Sequence, residues 1–555
     1  MAKITAARAL VESLRAHGVD TIFGIISSHT MEIFDALYDH QDAIRFISAR
    51  HEHAAAMMAD GYARVTGKPG ICLTSTGPGA ANSTGGLGEA YAASSPVLTI
   101  TSSAEEKLYE RGLGTMHETK NQLDMLATVT QSSVHISRPE EAPGQVQEAF
   151  AQFQGWRQRP IALEIPSDVQ SQEAEMVISG PVRQGAPAAD PASVETAAEI
   201  LLAGRRVGVM AGTGVHRAGA GRELVRLAER LGAPVFTTAN SKGAIAEDHP
   251  LSLGMYGGEY NFPPGGLEDP RQTFANSLDV LLVAGSSLSY FRAKSQGLRQ
   301  PPQLIHLDID AATMDKWYKT TVRLVGDART VLEQLNCALE GKAGSDMNVN
   351  GIKESYAAEV QAVRESIREY KRQTLPNETM IMEAIREATD RDAVFVGDVG
   401  VCNHRGANYC LEVYEERSYL IPAWGGLGFG LPAAAGAKAG VPERQVICIT
   451  GDGGFQFNIQ ELGTCVQYGL RPVVLVFNDD AWGLLRCYQK NRGNGRYIAS
   501  DLRNPDFTRL AEAYGACGVQ VKSLPEMVQA LERALEAETV TVIDVKTPHG
   551  FANFE

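Results

Sequence analysis

Two aspartates in the stretch Ile449–Gly483 each follow an apolar segment with the character of a β-strand. The first lies in a glycine-rich turn made of Gly451, Asp452, Gly453 and Gly454, and the second is Asp479. Glycines at strand ends let the backbone approach a phosphate. Mg²⁺ in proteins usually takes one or two carboxylates and completes its shell with substrate phosphates and water. Asp452, Asp479 and a backbone carbonyl near Ala481 are therefore predicted to hold a divalent cation, and through it a diphosphate.

Two ordinary acidic turns in an α/β domain would give the same pair of aspartates. The order of strand, GDG turn, helix, strand and Asn-Asp nevertheless resembles the signature of thiamine diphosphate (ThDP) enzymes, in which GDG precedes an NN pair. Asp479 occupies the position of the second Asn of that pair. The aspartate keeps a ligand oxygen and adds a negative charge. The resemblance implies that the residues after this turn contact the cofactor or line the substrate pocket: Trp482, Gly483 and Leu484.

A second segment resembles the half of these enzymes that binds the aminopyrimidine ring. It runs from the RHE box through GYARVTG to TSTGPGA and contains Glu52. In the family the matching glutamate hydrogen-bonds a pyrimidine nitrogen, which requires a carboxylate able to share a proton in a dry pocket. The backbone of Gly77 and Pro78 is expected to lie near the cofactor, and Asn82 is expected to begin the next helix. A surface charge cluster is the alternative for His51-Glu52-His53, whose spacing does not suit a zinc site.

A third segment, Pro422–Gly440, resembles the part of the family that bends the cofactor into a V shape. Leu427 occupies the place of the apolar residue between the two cofactor rings, and Gly425 lies beside it. The bent form places the reacting atoms side by side, which is catalysis by proximity. Close helix packing also explains a run rich in Gly and Ala, and both interpretations can hold together.

The resemblance extends over essentially the whole chain, to the ThDP family that includes acetolactate synthase, benzoylformate decarboxylase, benzaldehyde lyase, glyoxylate carboligase and oxalyl-CoA decarboxylase. One departure lies after DVG, where the usual diphosphate contacts are replaced by Val401-Cys402, followed by Asn403 and His404. Asn403 is therefore taken as a cofactor contact.

The composition is that of an ordinary globular protein. The chain has 555 residues, 44% hydrophobic and 21% charged, which suits about three domains. Its net charge of −15 argues against non-specific nucleic-acid binding. The eight cysteines are scattered without a CxxC motif, as in a reduced cytoplasmic protein. No apolar run reaches membrane-spanning length.

Continuous Val, Ile and Leu runs alternate with amphipathic helices, which predicts an α/β protein with doubly wound, mainly parallel sheets. The runs are PIALEI, RVGVMAG, DVLLVAG, QLIHLDID, DAVFVGD, QVICIT, PVVLVFN and TVTVIDV. Polar linkers over Ser167–Pro191 and Glu340–Gly351 separate three predicted domains. These are a pyrimidine-binding domain (1–168), a central domain (190–340) and a diphosphate-binding domain (355–555).

The central domain contains GVMAGTGVHRAGAG after an apolar strand, but Arg217 interrupts the GxGxxG register of a dinucleotide site. Relatives hold FAD or ADP in this domain, or no nucleotide. Asp308 and Asp310 could contact a ribose or could cap a helix. The stretch MYGGEYNFPPGGLEDPRQTF departs from the FAD-binding pattern.

Two histidines are candidates for proton transfer. His29 aligns with an active-site histidine of benzaldehyde lyase, and His117 aligns with a glutamine of acetolactate synthase; structural roles are the alternative for both. Arg486 could bind a substrate carboxylate or pair with a surface acid.

The resemblance implies a ThDP- and Mg²⁺-dependent enzyme that decarboxylates a small 2-oxo acid and protonates the resulting enamine or ligates it to an acceptor carbonyl. Acyloin or 2-hydroxyacyl lyase activity on aldehydes, and decarboxylation of an acyl-CoA, are the alternatives. A catalytically silent protein of the same fold is disfavoured by the presence of Glu52, Leu427 and Asp452. Because the family builds its active site between subunits, a homodimer at least, and a homotetramer as the expected form, is implied.

Overall fold

The computed structural model describes residues 2–182, 185–257, 268–342 and 347–548. Three six-stranded sheets, all parallel, account for the fold, and a two-stranded antiparallel sheet joins β1 (Ala2–Thr5) to β8 (Glu173–Met176). All eight apolar runs singled out in the sequence form strands, as predicted. The chain is therefore a three-domain α/β protein.

The first sheet has the order β3-β2-β4-β5-β7-β6. Its strands are β2 (Thr21–Gly24), β3 (Arg45–Ser48), β4 (Gly70–Leu73), β5 (Val97–Ser103), β6 (Ser132–His135) and β7 (Ile161–Pro166). Its helices are α1 (Ala6–Ala16), α2 (Met31–Tyr38), α3 (Glu52–Thr66), α4 (Pro78–Ala92), α5 (Gln122–Ala127), α6 (Glu141–Gly155) and α7 (Ser167–Ser171).

The second sheet has the order β11-β10-β9-β12-β13-β14. Its strands are β9 (Val207–Ala211), β10 (Val235–Thr237), β11 (Ser252–Met255), β12 (Val280–Ala284), β13 (Gln303–Asp308) and β14 (Val322–Val325). Its helices are α8 (Pro191–Ala203), α9 (Thr213–Ala218), α10 (Gly221–Leu231), α11 (Pro270–Ala275) and α12 (Ala328–Ala338).

The third sheet has the order β16-β15-β17-β18-β20-β19. Its strands are β15 (Val394–Gly397), β16 (Tyr419–Leu420), β17 (Val446–Gly451), β18 (Val473–Asn478), β19 (Cys517–Val521) and β20 (Thr541–Lys546). The helices from this part of the chain are α13 (Met347–Thr374), α14 (Pro376–Glu387), α15 (Gly430–Gly440), α16 (Asp452–Phe457), α17 (Glu461–Tyr468), α18 (Gly483–Arg492), α19 (Phe507–Ala513) and α20 (Leu524–Leu535).

The third sheet is buried on both faces, as its continuous apolar strands predict. In β18, Val474 and Val476 join one apolar core, whereas Leu475 and Phe477 join another. The first of these cores also contains Phe23 and other residues of the first domain. One hydrophobic core is therefore shared between the first and third domains.

Helices α3 and α15 form the centre of that shared core because small residues let their backbones approach closely. A Cβ atom on Gly61 would lie 2.2 Å from the carbonyl oxygen of Ala433, and one on Gly436 would lie 1.9 Å from that of Met58. The Gly/Ala-rich run after Leu427 is thus a close helix contact, which is one of its two expected roles.

Four local predictions need correction. The second linker, expected to extend to Gly351, ends before helix α13, which begins at Met347. The helix expected to begin at Asn82 begins at Pro78, because proline suits the first turn of a helix. One helix was expected between β17 and β18, but two are present, α16 and α17. The segment from Ser167, expected to be a linker, first forms α7 and β8, whose pairing with β1 depends on a distant part of the chain.

Parts of three predictions fall outside the described residues: 258–267 of the central-domain stretch, 343–346 of the second linker, and 1 and 549–555 at the outer domain bounds. The three domain bounds themselves stay predictions. Among the helices of the described ranges, none combines the length and apolar character needed to cross a membrane.

Candidate active site

A cavity of about 540 Å³ opens at the carboxyl edge of the third sheet. The ends of β15, β17 and β18 meet there, as expected for a ligand site in an open parallel sheet. Twelve of the residues singled out in the sequence line it: Asn403, Gly425, Leu427, Gly451, Asp452, Gly453, Gly454, Asp479, Ala481, Trp482, Gly483 and Leu484. The structure therefore brings the whole C-terminal group of candidates together.

Asp452 is the central acidic group of this cavity. Its carboxylate accepts hydrogen bonds from the backbone N–H of Gly453 at 3.0 Å and of Ala481 at 3.2 Å. Burial, and secondly the nearby Asp479 carboxylate, raise the pKa of Asp452 to about 7. Two carboxylates that share a buried site favour a cation between them, since a cation removes their mutual repulsion.

The residues present fit a metal-bound diphosphate. Gly425 adopts the left-handed region (φ 100°), and a Cβ atom there would meet nothing within 4 Å, so the backbone presents an open cradle to the cavity. Asp452, after β17, and Asp479, after β18, offer carboxylate oxygens, and Ala481 lies two residues beyond Asp479 in the turn after β18. This is the hard-oxygen donor set that Mg²⁺ requires.

A buried carboxylate fixes the backbone that directly follows Leu427. Asp398 accepts hydrogen bonds from the N–H groups of Gly428 and Gly430, each at 3.1 Å, and from the hydroxyl of Thr450. Burial raises the pKa of Asp398 to about 6, against the lowering effect of these bonds. These bonds hold the turn that places Leu427 in the lining of the cavity.

The N-terminal candidates gather in a second place, around the start of α4. Asn82 donates a hydrogen bond to Glu52 at 3.0 Å, and a Cβ atom on Gly79 would lie 3.3 Å from the Glu52 carboxylate. Gly77, at φ 58°, packs so closely on His117 that a Cβ atom there would lie 2.1 Å from the His117 carbonyl oxygen. Only glycine suits this turn.

His29 and His117 form a pair beside that turn. Their ring centroids are 5.1 Å apart, and burial together with the neighbouring His117 lowers the pKa of His29. His117 holds an unusual left-handed backbone (φ 62°), and its buried Nδ1 atom has no hydrogen-bond partner among the described residues. Strained backbone and unpaired buried polar atoms are typical of functional positions.

None of the six N-terminal candidates lines the large cavity of the same chain: His29, Glu52, Gly77, Pro78, Asn82 and His117. Exposed apolar side chains flank both places. Ile26, Met31 and Met116 lie beside the two histidines in sequence, and Trp424 and Leu485 line the cavity. Each half-site therefore borders an apolar surface.

Several residues of these sites carry no signal in the sequence. Asn504 donates hydrogen bonds to Asp452 and to Asn478, and Phe291 reaches the cavity from the central domain. Gln122 accepts the Gly77 N–H at 2.6 Å. Asn504, Phe291 and Gln122 are all far in sequence from the residues that they contact or join, so local patterns do not indicate their roles. Arg486 pairs with Asp501 and stacks on Tyr497, so the surface-acid alternative holds for it.

A second cavity of about 370 Å³ lies at the carboxyl edge of the central sheet. Asp308 and Arg217 line it, together with the hydroxyl-bearing residues Thr213, Thr238, Ser286, Ser287 and Ser289. Burial lowers the pKa of Arg217 to about 9, and its Nε atom has no hydrogen-bond partner among the described residues. Asp310 instead caps a short helix through the N–H of Ala312.

Three domains of one family match the chain: thiamine pyrophosphate enzyme N-terminal TPP binding domain (residues 4–128), central domain (194–335) and C-terminal TPP binding domain (398–545). Thiamine pyrophosphate is the same compound as ThDP. The chain belongs to this family and is a ThDP-dependent enzyme of its carboligase and decarboxylase group.

Curated relatives match over nearly their whole length. A probable 2-ketoarginine decarboxylase from Pseudomonas aeruginosa is 35% identical, over 98% of this chain and 94% of the relative. A probable acetolactate synthase large subunit from Methanococcus aeolicus is 31% identical, over 97% and 91%. The acetolactate synthase isozyme 3 large subunit of Escherichia coli is 30% identical, over 97% and 93%.

Proposed function

We propose that this enzyme uses ThDP and Mg²⁺ to decarboxylate a 2-oxo acid, and then protonates the product or ligates it to an acceptor carbonyl. The observation that carries the proposal is the convergence of all twelve C-terminal candidates on one cavity at the carboxyl edge of the third sheet. The acetolactate synthase relatives support the same class of reaction.

Each part of the cavity has a defined task in this proposal. Asp452, Asp479 and the Ala481 carbonyl hold the cation, and the glycine turn admits the diphosphate. Leu427 supports the bent cofactor. Bound ThDP supplies a nucleophilic ring carbon and an electron sink. Glu52, oriented by Asn82, exchanges a proton with the pyrimidine ring.

His29 and His117 are proposed to move protons at the substrate. Burial beside His117 lowers the pKa of His29, so its imidazole is neutral and able to accept a proton near neutral pH. His117 is only half-buried, and among the described residues no hydrogen bond to Nδ1 fixes its ring, so the ring can turn towards a substrate oxygen. In this proposal His29 takes a proton from a substrate hydroxyl in one step and returns it to a developing alkoxide in another.

A second copy of the chain is proposed to complete the site. In one chain the Glu52 group and the Asp452 group occupy different places, and exposed apolar residues border each. Apolar surface of this kind marks an interface. A closed, two-fold arrangement would bring each Glu52 group to the partner's cavity, which implies a homodimer at least, with a homotetramer as the expected form.

The charged and aromatic residues that line the cavity indicate which 2-oxo acids it suits. Among the described residues that line it, none is Lys or Arg, whereas Asp452, Asp479 and the aromatic Phe291, Trp424 and Tyr488 are present. A small neutral 2-oxo acid is the first candidate. A 2-oxo acid with a cationic end group is the second, because aromatic rings attract cations, whereas Asp452 and Asp479 already serve the metal in this proposal. The relative named 2-ketoarginine decarboxylase favours that second candidate.

The second cavity is proposed to accept a nucleotide, ADP or FAD. Its lining joins Asp308 at a strand end, the half-buried Arg217 and several hydroxyl groups, which together suit a ribose and a phosphate. Denaturing the purified protein and separating any released nucleotide by chromatography tests this directly; retention of neither nucleotide, on purification or after incubation, would contradict it.

The test of the proposed function is a substrate screen with ThDP and Mg²⁺ under anaerobic conditions. CO₂ release would be followed from pyruvate, 2-oxobutyrate, glyoxylate, benzoylformate, 2-ketoarginine and oxalyl-CoA, with parallel analysis of acyloins from formaldehyde and benzaldehyde. The proposal expects CO₂ from a 2-oxo acid, lost on chelation of Mg²⁺ and in Glu52→Gln. Acyloin cleavage or formation without CO₂ would contradict it in favour of a lyase, and turnover of oxalyl-CoA alone would favour an acyl-CoA decarboxylase.

A further inference from the structure

The turn that carries Leu427 is held from both sides by carboxylates of two different domains. Asp398, in the third domain, accepts the N–H groups that follow Leu427, as described above. Glu89, in helix α4 of the first domain, accepts the N–H groups that precede it. Its partners are the amides of Ala423 at 2.8 Å, Trp424 at 2.9 Å and Gly426.

Glu89 is fully buried, with an exposed fraction of 0%. Leaving a carboxylate in such a place requires strong hydrogen bonds. Three amide donors converge on its two oxygens, and hydrogen bonds to a charged acceptor are roughly twice as strong as neutral ones. A glutamine would offer only one acceptor oxygen and would place an NH₂ group against a backbone donor.

Helix α4 also supports this turn by direct packing. A Cβ atom on Gly88 would lie 2.2 Å from the indole ring of Trp424, so the helix backbone and the ring are in close contact. At its other end, the same helix begins at Pro78, near Glu52. One rigid element thus joins the Glu52 group to the turn that carries Leu427.

We infer that Glu89 is a positioning residue, which acts on the reaction by fixing the backbone before Leu427. This rests on the proposed function, in which Leu427 supports the bent cofactor. Loss of the Glu89 carboxylate would free the turn and let Leu427 withdraw. A purely structural bond between domains would instead affect stability without changing the cofactor conformation or the turnover of folded enzyme.

Hydrogen exchange measured by mass spectrometry tests the clamp without any need for activity. In the wild-type apoenzyme, the amides of Ala423, Trp424 and Gly426 are expected to exchange slowly. Glu89→Gln is expected to speed exchange in this segment at least about tenfold. Fast exchange in the wild-type protein, or unchanged exchange in the variant, would overturn the clamp. If Glu89→Gln fails to fold, Glu89→Asp replaces it, and exchange as slow as in the wild type at all three amides would overturn the clamp.

Glu247→Gln is the matched control. Glu247 is another buried carboxylate that accepts a backbone amide across a domain boundary, from Val413 at 2.8 Å, and it also pairs with Lys242. Its loss is expected to lower stability but to leave exchange in residues 422–430 unchanged. Faster exchange there in this control would mean that general loosening, rather than the Glu89 clamp, explains the result.

Turnover then tests the positioning role in folded enzyme. Glu89→Gln is expected to lower kcat roughly tenfold to a hundredfold, as small misplacements of a reacting group do, with little change in KM. The near-ultraviolet circular dichroism of bound ThDP should change, and Glu89→Asp should restore part of both signals. Normal kcat and dichroism in Glu89→Gln would overturn the inference, whereas a wild-type enzyme without ThDP-dependent turnover would overturn the proposed function instead.

Discussion

At the residue scale, the candidate site contains residues in conformations and environments that lower the stability of the fold. His117 combines a left-handed backbone with an unpaired buried nitrogen, and the buried Asp452 carboxylate lies near that of Asp479. Such features cost stability and persist where function requires them. The types of these residues could be identified from sequence, but their strain and pairing could not, because both arise from contacts made only in the fold.

The histidine pair gives the first prediction. His29→Ala and His117→Ala are each expected to lower kcat by about 10²- to 10⁴-fold, the usual contribution of proton transfer. The double variant should lose less than the product of the two effects, since the residues act as a unit. Steady-state kinetics with a parallel measurement of ThDP binding checks this. Unchanged kcat in both single variants, with ThDP bound normally, would remove the pair from the mechanism.

His404 gives a prediction about pH. Burial lowers the pKa of His404 to about 4, so it stays neutral in the folded protein while the unfolded chain takes up a proton below about pH 6.5. Protonation therefore favours unfolding, and stability falls as pH drops from about 6.5 towards 4, by at most about 3 kcal/mol. Thermal unfolding of the apoenzyme at pH 7.5 and 5.0 measures the loss.

The variant His404→Gln has no such proton to take up. Its unfolding temperature should fall less than that of the wild type between the two pH values. An equal fall in both proteins would show that His404 does not contribute to the acid sensitivity.

At the element scale, the contact between α3 and α15 decides how the first and third domains fit together in one chain. Gly436 faces backbone atoms of Met58, which cannot move aside as a flexible side chain would. Gly436→Ala is expected to separate the helices and cost about 1–3 kcal/mol, as overpacking of a core does. A lower unfolding temperature would be the direct measurement.

Gly144→Ala is the matched control for that substitution. Gly144 lies in helix α6, and a Cβ atom there meets nothing within 4 Å. Alanine at such a position should stabilise the helix by up to about 1 kcal/mol. Equal destabilisation by both substitutions would contradict the close-contact interpretation of Gly436.

The helices and strands show which parts of the fold could be predicted from sequence patterns. The apolar runs predicted eight strands, and the GDG turn predicted the place where β17 and β18 end together. The start of α4, the division into α16 and α17, and the pairing of β8 with β1 were not predicted correctly. Helix ends and edge strands depend on neighbours far away in sequence, so local patterns determine them weakly.

At the scale of the whole molecule, the chain carries its candidate site residues in two separate groups. The C-terminal half lines a cavity, the N-terminal half gathers at Glu52 and the histidine pair, and apolar residues border both. Sequence reasoning could assign residues to each half by resemblance. It had no means of finding Phe291 or Asn504, whose contribution depends on how separate segments pack around the cavity.

In the proposed enzyme, the Glu52 group of one chain and the Asp452 group of another form one active site. Mixing tests it most directly: Glu52→Gln and Asp452→Ala enzymes, each inactive alone, are dissociated together, reassembled in equal amounts and assayed for ThDP-dependent turnover. If sites form between subunits, each mixed dimer has one intact site, and about a quarter of wild-type activity returns. If each site forms within one chain, every site stays defective, and a mixture that remains inactive despite proven subunit exchange would contradict the account.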